Sequence, residues 1–295
     1  MGKSATTVRL RRSEQLRDVI GIFGHVRALA VVDAEAIEDP VERIHQQRVA
    51  IRRLRSLIRL VGPVVQTQQA GVLDEDLAWV ASSLGDRRDL DVMSNLVRRD
   101  AEFCANEDAL DLRRCLESEL DRRRVIADAE LRRCISSKRY RILKRSLSDL
   151  DLTSWFGDQA SVADLTPKLM RRQWHRLSRA QVELDSKQDY QSWHRMRMRA
   201  KNLRYSLEPF APMYPGVDRC SRRLGELTDL MGRVCDVHNE QELVTFTATC
   251  SDVTVAFQAG RRVAQLELRQ IQLEEGLPEC WARVRRAWTA LGFQK

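Results

Sequence analysis

The sequence predicts an all-α protein, built from an internal duplication as two similar antiparallel helical bundles that face each other. Three observations carry that expectation. Nearly every stretch has the period of an amphipathic helix, and no convincing run alternates with period two. Only 13 Gly and 7 Pro punctuate 295 residues, so long uninterrupted elements are expected. Finally, a basic pattern occurs twice, about half the chain apart: "HQQRVAIRRLRS" from His45 and "HRMRMRAKNLRYSLE" from His194.

A first helix is expected from Ser13 to Ile37, with Leu16, Ile20, Phe23, Val26 and Val31 among its apolar positions. Pro40 separates it from a second, Val41 to Val61, which Gly62-Pro63 stops. After the polar turn "QTQQAG" a helix carries Leu73, Leu77, Val80 and Leu84, and "LGDRRDLDVMSNLVRR" begins another. One or two charged helices run from about Asp108 to Ser136, and "SSKRYRILKRSLSDL" supplies one more. The stretch "DLTSWFGDQA", Asp151 to Ala160, is the expected linker. Beyond it the helical pattern returns at Pro167 to Val182, Tyr190 to Phe210, Arg219 to Met231, Val234 to Cys250, Thr254 to Glu274 and Pro278 to Leu291. Short connections of this kind suit antiparallel bundles. The whole reads as one domain over residues 5–295, with halves at about 5–150 and 161–295 and the linker at about 151–160.

Apolar residues at 43% and charged residues at 31% fit a globular chain and argue against disorder. Fifty Lys+Arg against 42 Asp+Glu give a net charge of +8, a moderate excess that leaves any anion site local. The seven cysteines are scattered without C-x-x-C spacing, as reduced thiols in a cytoplasmic protein would be, so neither a disulfide frame nor a zinc site is expected. No segment approaches the apolar length of a membrane span, and no signal-peptide pattern is found, so no membrane partner is expected. Gly2 and Thr6 satisfy a short myristoylation pattern, but a frayed terminus is the favoured reading there.

The halves can be laid over one another. His45 over His194 aligns Arg48 with Arg197, Arg52 with Lys201, Leu54 with Leu203, and Arg55 with Arg204. Downstream, "LGDRRDLDV" over "MGRVCDVHN" matches Gly85 with Gly232 and Asp89 with Asp236, at nearly the same offset. Two landmarks in one order predict a tandem duplication.

On a helix, His45, Arg48, Arg52, Arg55 and Arg59 fall within an arc of roughly 80°, along a line about 20 Å long. Ala50, Leu54, Leu57, Ile58 and Val61 lie opposite and would face the core. Like charges three and four apart repel by a few tenths of a kcal/mol per pair, so carboxylates of neighbouring helices or an external polyanion must offset them. In the second copy Glu208 stands where Arg59 stood and ends the stripe. Further cations come from Lys138, Arg139 and Arg141, and from Lys168, Arg171, Arg172, His175 and Arg179. Rival chemistries are weak. Asp89, Asp91, Asp236 and His238 lack metal-ligand spacing and read as helix-start caps and salt-bridge acceptors. No phosphate-cradling glycine loop or G-x-S-x-G is present.

The doubled motif H-x-x-R-x-x-x-[RK]-x-x-R, with "LGDRRDLDV" between its copies, resembles the CHAD domain family, named for its histidines and helices. The resemblance covers nearly the whole chain. It implies two pseudo-symmetric four-helix bundles with a basic groove or channel that binds inorganic polyphosphate. Carried over by motif, the binding residues are His45, Arg48, Arg52, Arg53 and Arg55 of the first copy, and His194, Arg197, Lys201, Arg204 and Tyr205 of the second; Arg59 joins them as the end of the first stripe. Lys138, Arg139 and Arg172 are added by location. Asn202 and Cys235 depart from the family pattern, so the second half is expected to offer the weaker surface. Some relatives join this domain to a triphosphate-tunnel domain with an E-x-E-x-K start. No such segment occurs here, so a non-enzymatic chain without catalytic residues, metal or cofactor is expected.

Polyphosphate offers a row of charges and no bases. Arginine meets it with bidentate donors, and lysine with a point charge. Aromatics are 6% of the chain and, Tyr205 apart, do not interleave with the stripe, which counts against single-stranded nucleic acid. Nonspecific nucleic-acid contact and a metal-dependent phosphohydrolase remain the alternatives. Among arginines, His45 and His194 are expected to hold a proton poorly until an anion binds; hydrogen bonds to carboxylates are the competing role. Binding an insoluble polymer would also bring the protein to polyphosphate granules.

Overall fold

The computed structural model describes residues 11–65, 67–100, 103, 107–156, 161–249 and 251–293. The regular elements among them are helices, joined at their start by a single bridge between Gln15 and Ser161. In chain order they are α1 (Leu16–Asp33), α2 (Pro40–Val61), α3 (Gln69–Arg99), α4 (Glu107–Ser136), α5 (Lys138–Ser148), α6 (Val162–Lys187), α7 (Tyr190–Leu207), α8 (Val217–Thr249), α9 (Val253–Glu274) and α10 (Leu277–Thr289). The long helices α1 to α4 pack as successive neighbours, as do α6 to α9. The short α5 lies on α1, and the short α10 on α8.

Several sequence-derived boundaries need correction. The segment beginning at Leu84 is no new helix, because α3 runs unbroken through Gly85 for 31 residues. Likewise α8 runs through Gly232 for 33 residues where two helices were expected. A helical glycine costs about 1 kcal/mol relative to alanine. Buried Leu77, Val80 and Leu84 before Gly85, and Met93 and Val97 after it, outweigh that cost in α3. The charged stretch before Ser136 is one helix, α4. Pro167 sits inside α6 as its sixth residue, where a proline removes one backbone hydrogen bond. Val26 of α1 faces solvent, while Arg27 beside it is buried.

The expected linker packs as part of the fold. Thr153–Trp155 forms a 3-10 turn, Trp155 is buried, and a Cβ on Gly24 of α1 would meet the Leu152 side chain at 2.3 Å. Residues 157–160, Cys104, Cys250 and the Gly2–Thr6 pattern lie outside the described residues. Cys115, Cys134, Cys220, Cys235 and Cys280 are free thiols.

Beyond the bridge at Gln15 and Ser161, two of the places where the halves join frame the site. One is the packing of α2 on α7, where Ser56 donates a hydrogen bond to Asn202 at 3.2 Å. Arg27 secures this junction from α1. It donates to the Arg53 carbonyl at 3.0 Å, the Tyr205 carbonyl at 3.0 Å and the Glu208 carboxylate at 2.9 Å. Burial holds its guanidinium down to about 10, a cost that Glu208 only partly offsets.

The second junction is a small apolar cluster in which Met93, Val97, Leu116 and Leu120 meet Leu243, Val244, Val255 and Ala259. Beside it, Arg262 of α9 binds both Glu240 of α8 and Asp100. The candidate site lies between these junctions, walled by α2, α3, α7 and α8.

Candidate functional site

Local sequence sets the register of the two basic helices. Asp39 caps α2 by accepting from the Val41 amide at 3.0 Å, with Pro40 in the first turn. Asp189 caps α7 by accepting from the Ser192 amide at 2.7 Å. The apolar stripe Ile44, Ala50, Ile51, Leu54, Leu57, Ile58 and Val61 buries one face of α2; Trp193, Met196, Ala200, Leu203 and Leu207 bury one face of α7. Each helix thereby directs a second face into the space between the halves, as the period of the two motifs demands.

That space is a cavity of about 240 Å³, and both histidines line it. His45, Arg48 and Arg52 enter from α2, and His194, Arg197 and Lys201 from α7. Helix α3 adds Arg88 and Asp89, and α8 adds Cys235, Asp236 and Asn239. Tyr190 closes one side, stacked on His238 with ring centres 4.1 Å apart and donating to Asn239 at 3.1 Å.

The glycines on which the two halves align lie beneath the equivalent arginines. Arg48 donates to the Gly85 carbonyl at 3.1 Å and to Asp89 at 2.7 Å. A Cβ on Gly232 would come within 3.0 Å of the Arg197 guanidinium, so the missing side chain is what admits that group. Arg204 lies similarly over Gly225, where a Cβ would stand 3.6 Å from it.

The cavity is short of anions. Among the described residues Arg52, Arg197 and Lys201 have no hydrogen bond or ion pair, and the Arg197 Nε is buried without a partner. Burial, and then the surrounding guanidinium groups, push Lys201 down to about 7 and Arg52 down to about 10. His45 and His194 are both held below the usual histidine value, burial first and neighbouring arginines after it. Like-charge repulsion is therefore the secondary cause, where sequence made it the leading one. Neither histidine hydrogen-bonds a carboxylate among the described residues. Burial also raises the Asp236 carboxyl.

The other sequence-derived residues lie elsewhere. Arg55 and Arg59 leave the stripe to bind Asp74 of α3, each at 2.9 Å. Arg53 points to the opposite side of α2, 3.3 Å from Glu208 and with its guanidinium 5.8 Å from the Tyr205 ring centre. Tyr205 is buried there, outside the cavity lining. Arg139 binds Asp76 at 2.7 Å and lies over Trp79; Lys138 and Arg172 are exposed and outside the lining.

The sequence reading missed Arg88, although it stands three residues after Gly85, one helical turn along the face that reaches the cavity. The aspartates and histidine of the metal-site alternative are dispersed: Asp91 is bound by Arg87, Asp89 by Arg48, and His238 stacks on Tyr190. No cluster of three or more His, Cys, Asp or Glu suited to a metal occurs among the described residues.

Fold and site together define a helical protein with a cation-lined cavity between two facing sets of helices. The CHAD domain family model matches residues 14–245, and the chain belongs to that family. Two solved structures share the fold. The crystal structure of the CHAD domain from the plant Ricinus communis is 22% identical, covering 97% of this chain and 96% of that one, with a TM-score of 0.72. PptA from Streptomyces chartreusis is 17% identical, covering 91% of this chain and 100% of that one, with a TM-score of 0.75. Among curated proteins, none matches the chain. No helix among the described residues is long and apolar enough to cross a membrane.

Proposed function

We propose that the protein binds inorganic polyphosphate in the cavity between α2 and α7, without catalysing a reaction on it. The observation that carries this reading is the convergence of Arg52, Arg197 and Lys201 on one cavity with no carboxylate bound to any of them among the described residues. Cations left unpaired in a half-buried space cost free energy, and a multivalent anion removes that cost. Arginine forks supply bidentate contacts to phosphate oxygens, and counterion release adds a term that grows with each phosphate neutralised.

The shape favours a single phosphate chain. A cavity of about 240 Å³ excludes a nucleic-acid duplex, and its one lining aromatic ring, Tyr190, is already stacked on His238, leaving no platform for a base. A cytoplasmic protein with this property would collect on polyphosphate granules. Isothermal calorimetry with a defined-length polyphosphate tests the reading, with duplex DNA as competitor and phosphate release followed in parallel. Saturable binding that weakens steeply with salt, resists DNA and releases no phosphate is the expected result. Preferential binding of DNA would replace polyphosphate as the ligand, and steady phosphate release would make the chain an enzyme.

A further inference from the structure

A second hollow, of about 510 Å³, adjoins the cavity. Both are lined by Arg88 and Val92, so they meet at α3. The hollow continues along the last turns of α3 past Asn95, Leu96, Arg99 and Asp100, and Arg269 of α9 forms its far wall. Its charge is one-sided. Arg88, Arg99 and Arg269 make no hydrogen bond or ion pair among the described residues, while its one carboxylate, Asp100, is bound by Arg262. A cation in the last turn of a helix is favoured by the helix dipole, which accounts for Arg99 being tolerated at its position. The dipole gives no reason for Arg269, on another helix, to share the same hollow.

The opposite wall lacks this track. With Gly85 matched to Gly232 and Asp89 to Asp236, the positions of Arg88, Asn95 and Arg99 are held by Cys235, Glu242 and Phe246. Cys235 is buried, Glu242 lies 3.6 Å from His238, and Phe246 is covered by the Arg123 guanidinium at 5.0 Å. A long anion leaving the cavity therefore meets cations in one direction and an acidic, apolar surface in the other. Along α3, the distance from Arg88 to Arg99 is about 16 Å at the helical rise, room for several phosphate units beyond the cavity.

We propose that a phosphate chain too long for the cavity leaves it between α3 and α9, where Arg99 and Arg269 bind the emerging segment and give the protein a preference for long chains. The inference rests on polyphosphate binding in the cavity itself. Arg269 lies beyond the segment that the family model matches, so this wall is a feature of the chain outside its family match.

The test is calorimetry on wild-type protein and the double variant R99Q/R269Q, each with tripolyphosphate and with a long-chain polyphosphate, at one salt concentration. Both arginines are exposed, so helicity by circular dichroism should be unchanged. Two lost phosphate contacts should weaken long-chain binding by about tenfold near physiological salt and leave tripolyphosphate affinity unaltered. An equal loss for both chains, or no loss for either, overturns the inference while polyphosphate binding stands. Wild-type protein that binds neither chain removes both readings together.

Discussion

The cavity walls formed by α2 with α3 and by α7 with α8 carry matched residues in different electrostatic states. On the first, Arg48 is satisfied within the protein by the Gly85 carbonyl and by Asp89. On the second, Arg197 lies tighter against its glycine, 3.0 Å to a notional Cβ against 3.7 Å on the first wall, and its Nε has no partner. Asp236, the counterpart of Asp89, makes no ion pair among the described residues, and burial raises its carboxyl. Lys201 adds a second unpaired cation to that wall. Aligned motifs therefore say which residues face the cavity and not which of them are free. One wall neutralises itself in part, while on the other both Arg197 and Lys201 stay unpaired among the described residues.

Charge reversal should break the comparison most strongly. R52E with K201E replaces two of the cavity's unpaired cations, one on each wall, by carboxylates, and polyphosphate affinity should fall at least about 100-fold by calorimetry with helicity unchanged. Reversing Arg55 and Arg59 breaks only their pairs with Asp74, so affinity should stay within about twofold while stability drops. Equal losses from the two double variants would mean that the whole stripe binds and the cavity is not the site.

Protonation gives the next largest effect. In the free protein Lys201 titrates near 7, and both histidines lie below their usual value. The charged groups acting on Lys201 are Arg48 and Arg52 from α2, Arg197 from its own helix, and Asp229 and Asp236 from α8. A bound polyanion raises every one of these titrating groups, so the complex takes up protons and affinity increases as pH falls. Between pH 8 and 6, Lys201 alone should account for about tenfold, with the histidines adding to it below pH 7. The free protein should behave oppositely. Its unfolded chain keeps the lysine proton up to about 10.5, so stability is lowest below pH 7 and rises from pH 7 toward that value. Affinity that is flat across pH 6 to 8 would place these groups outside the binding site.

Much of this was legible in sequence, and the rest failed for identifiable reasons. The apolar stripe of α2 is buried as its spacing required, and His45, Arg48, Arg52, His194, Arg197 and Lys201 meet at one cavity. What a helical wheel could not show is the partner on another helix. Asp74 removes Arg55 and Arg59 from the stripe, and Glu208 and Tyr205 hold Arg53 on the far side. Gly85 and Gly232 stand in sequence only as matched landmarks of the two halves; in the fold each serves as the flat backbone beneath an arginine. Asn202, a departure from the family pattern, accepts from Ser56 where α2 packs on α7.

Neutralising the two aspartates should sharpen the contrast between the walls. Asp89→Asn removes the ion pair that occupies Arg48, freeing a guanidinium for the ligand, and affinity should rise about fivefold, as expected for loss of an exposed pair plus one fewer like-charged neighbour of the anion. Asp236→Asn releases no ion pair, and its effect should be about half as large in free energy. A larger gain from Asp236→Asn would reverse the assignment of the self-neutralised wall.

The smallest effect expected comes from the two glycines, and it tests the comparison most directly. A methyl group on Gly232 would sit 3.0 Å from the Arg197 guanidinium, closer than ordinary van der Waals contact, so the end of that side chain must shift by a few tenths of an ångström. A methyl on Gly85 would stand 3.7 Å from Arg48, which leaves that group where it is. Alanine also favours the helix by up to about 1 kcal/mol at either position, so both variants should fold at least as well as the parent. Gly232→Ala should then weaken polyphosphate binding by about threefold, the consequence of misplacing one charge-assisted contact, while Gly85→Ala leaves it unchanged. Stability and affinity thus move in opposite directions at Gly232 alone. Identical affinities for the two variants would mean that Arg197 does not bind the ligand from the position it holds in the free protein.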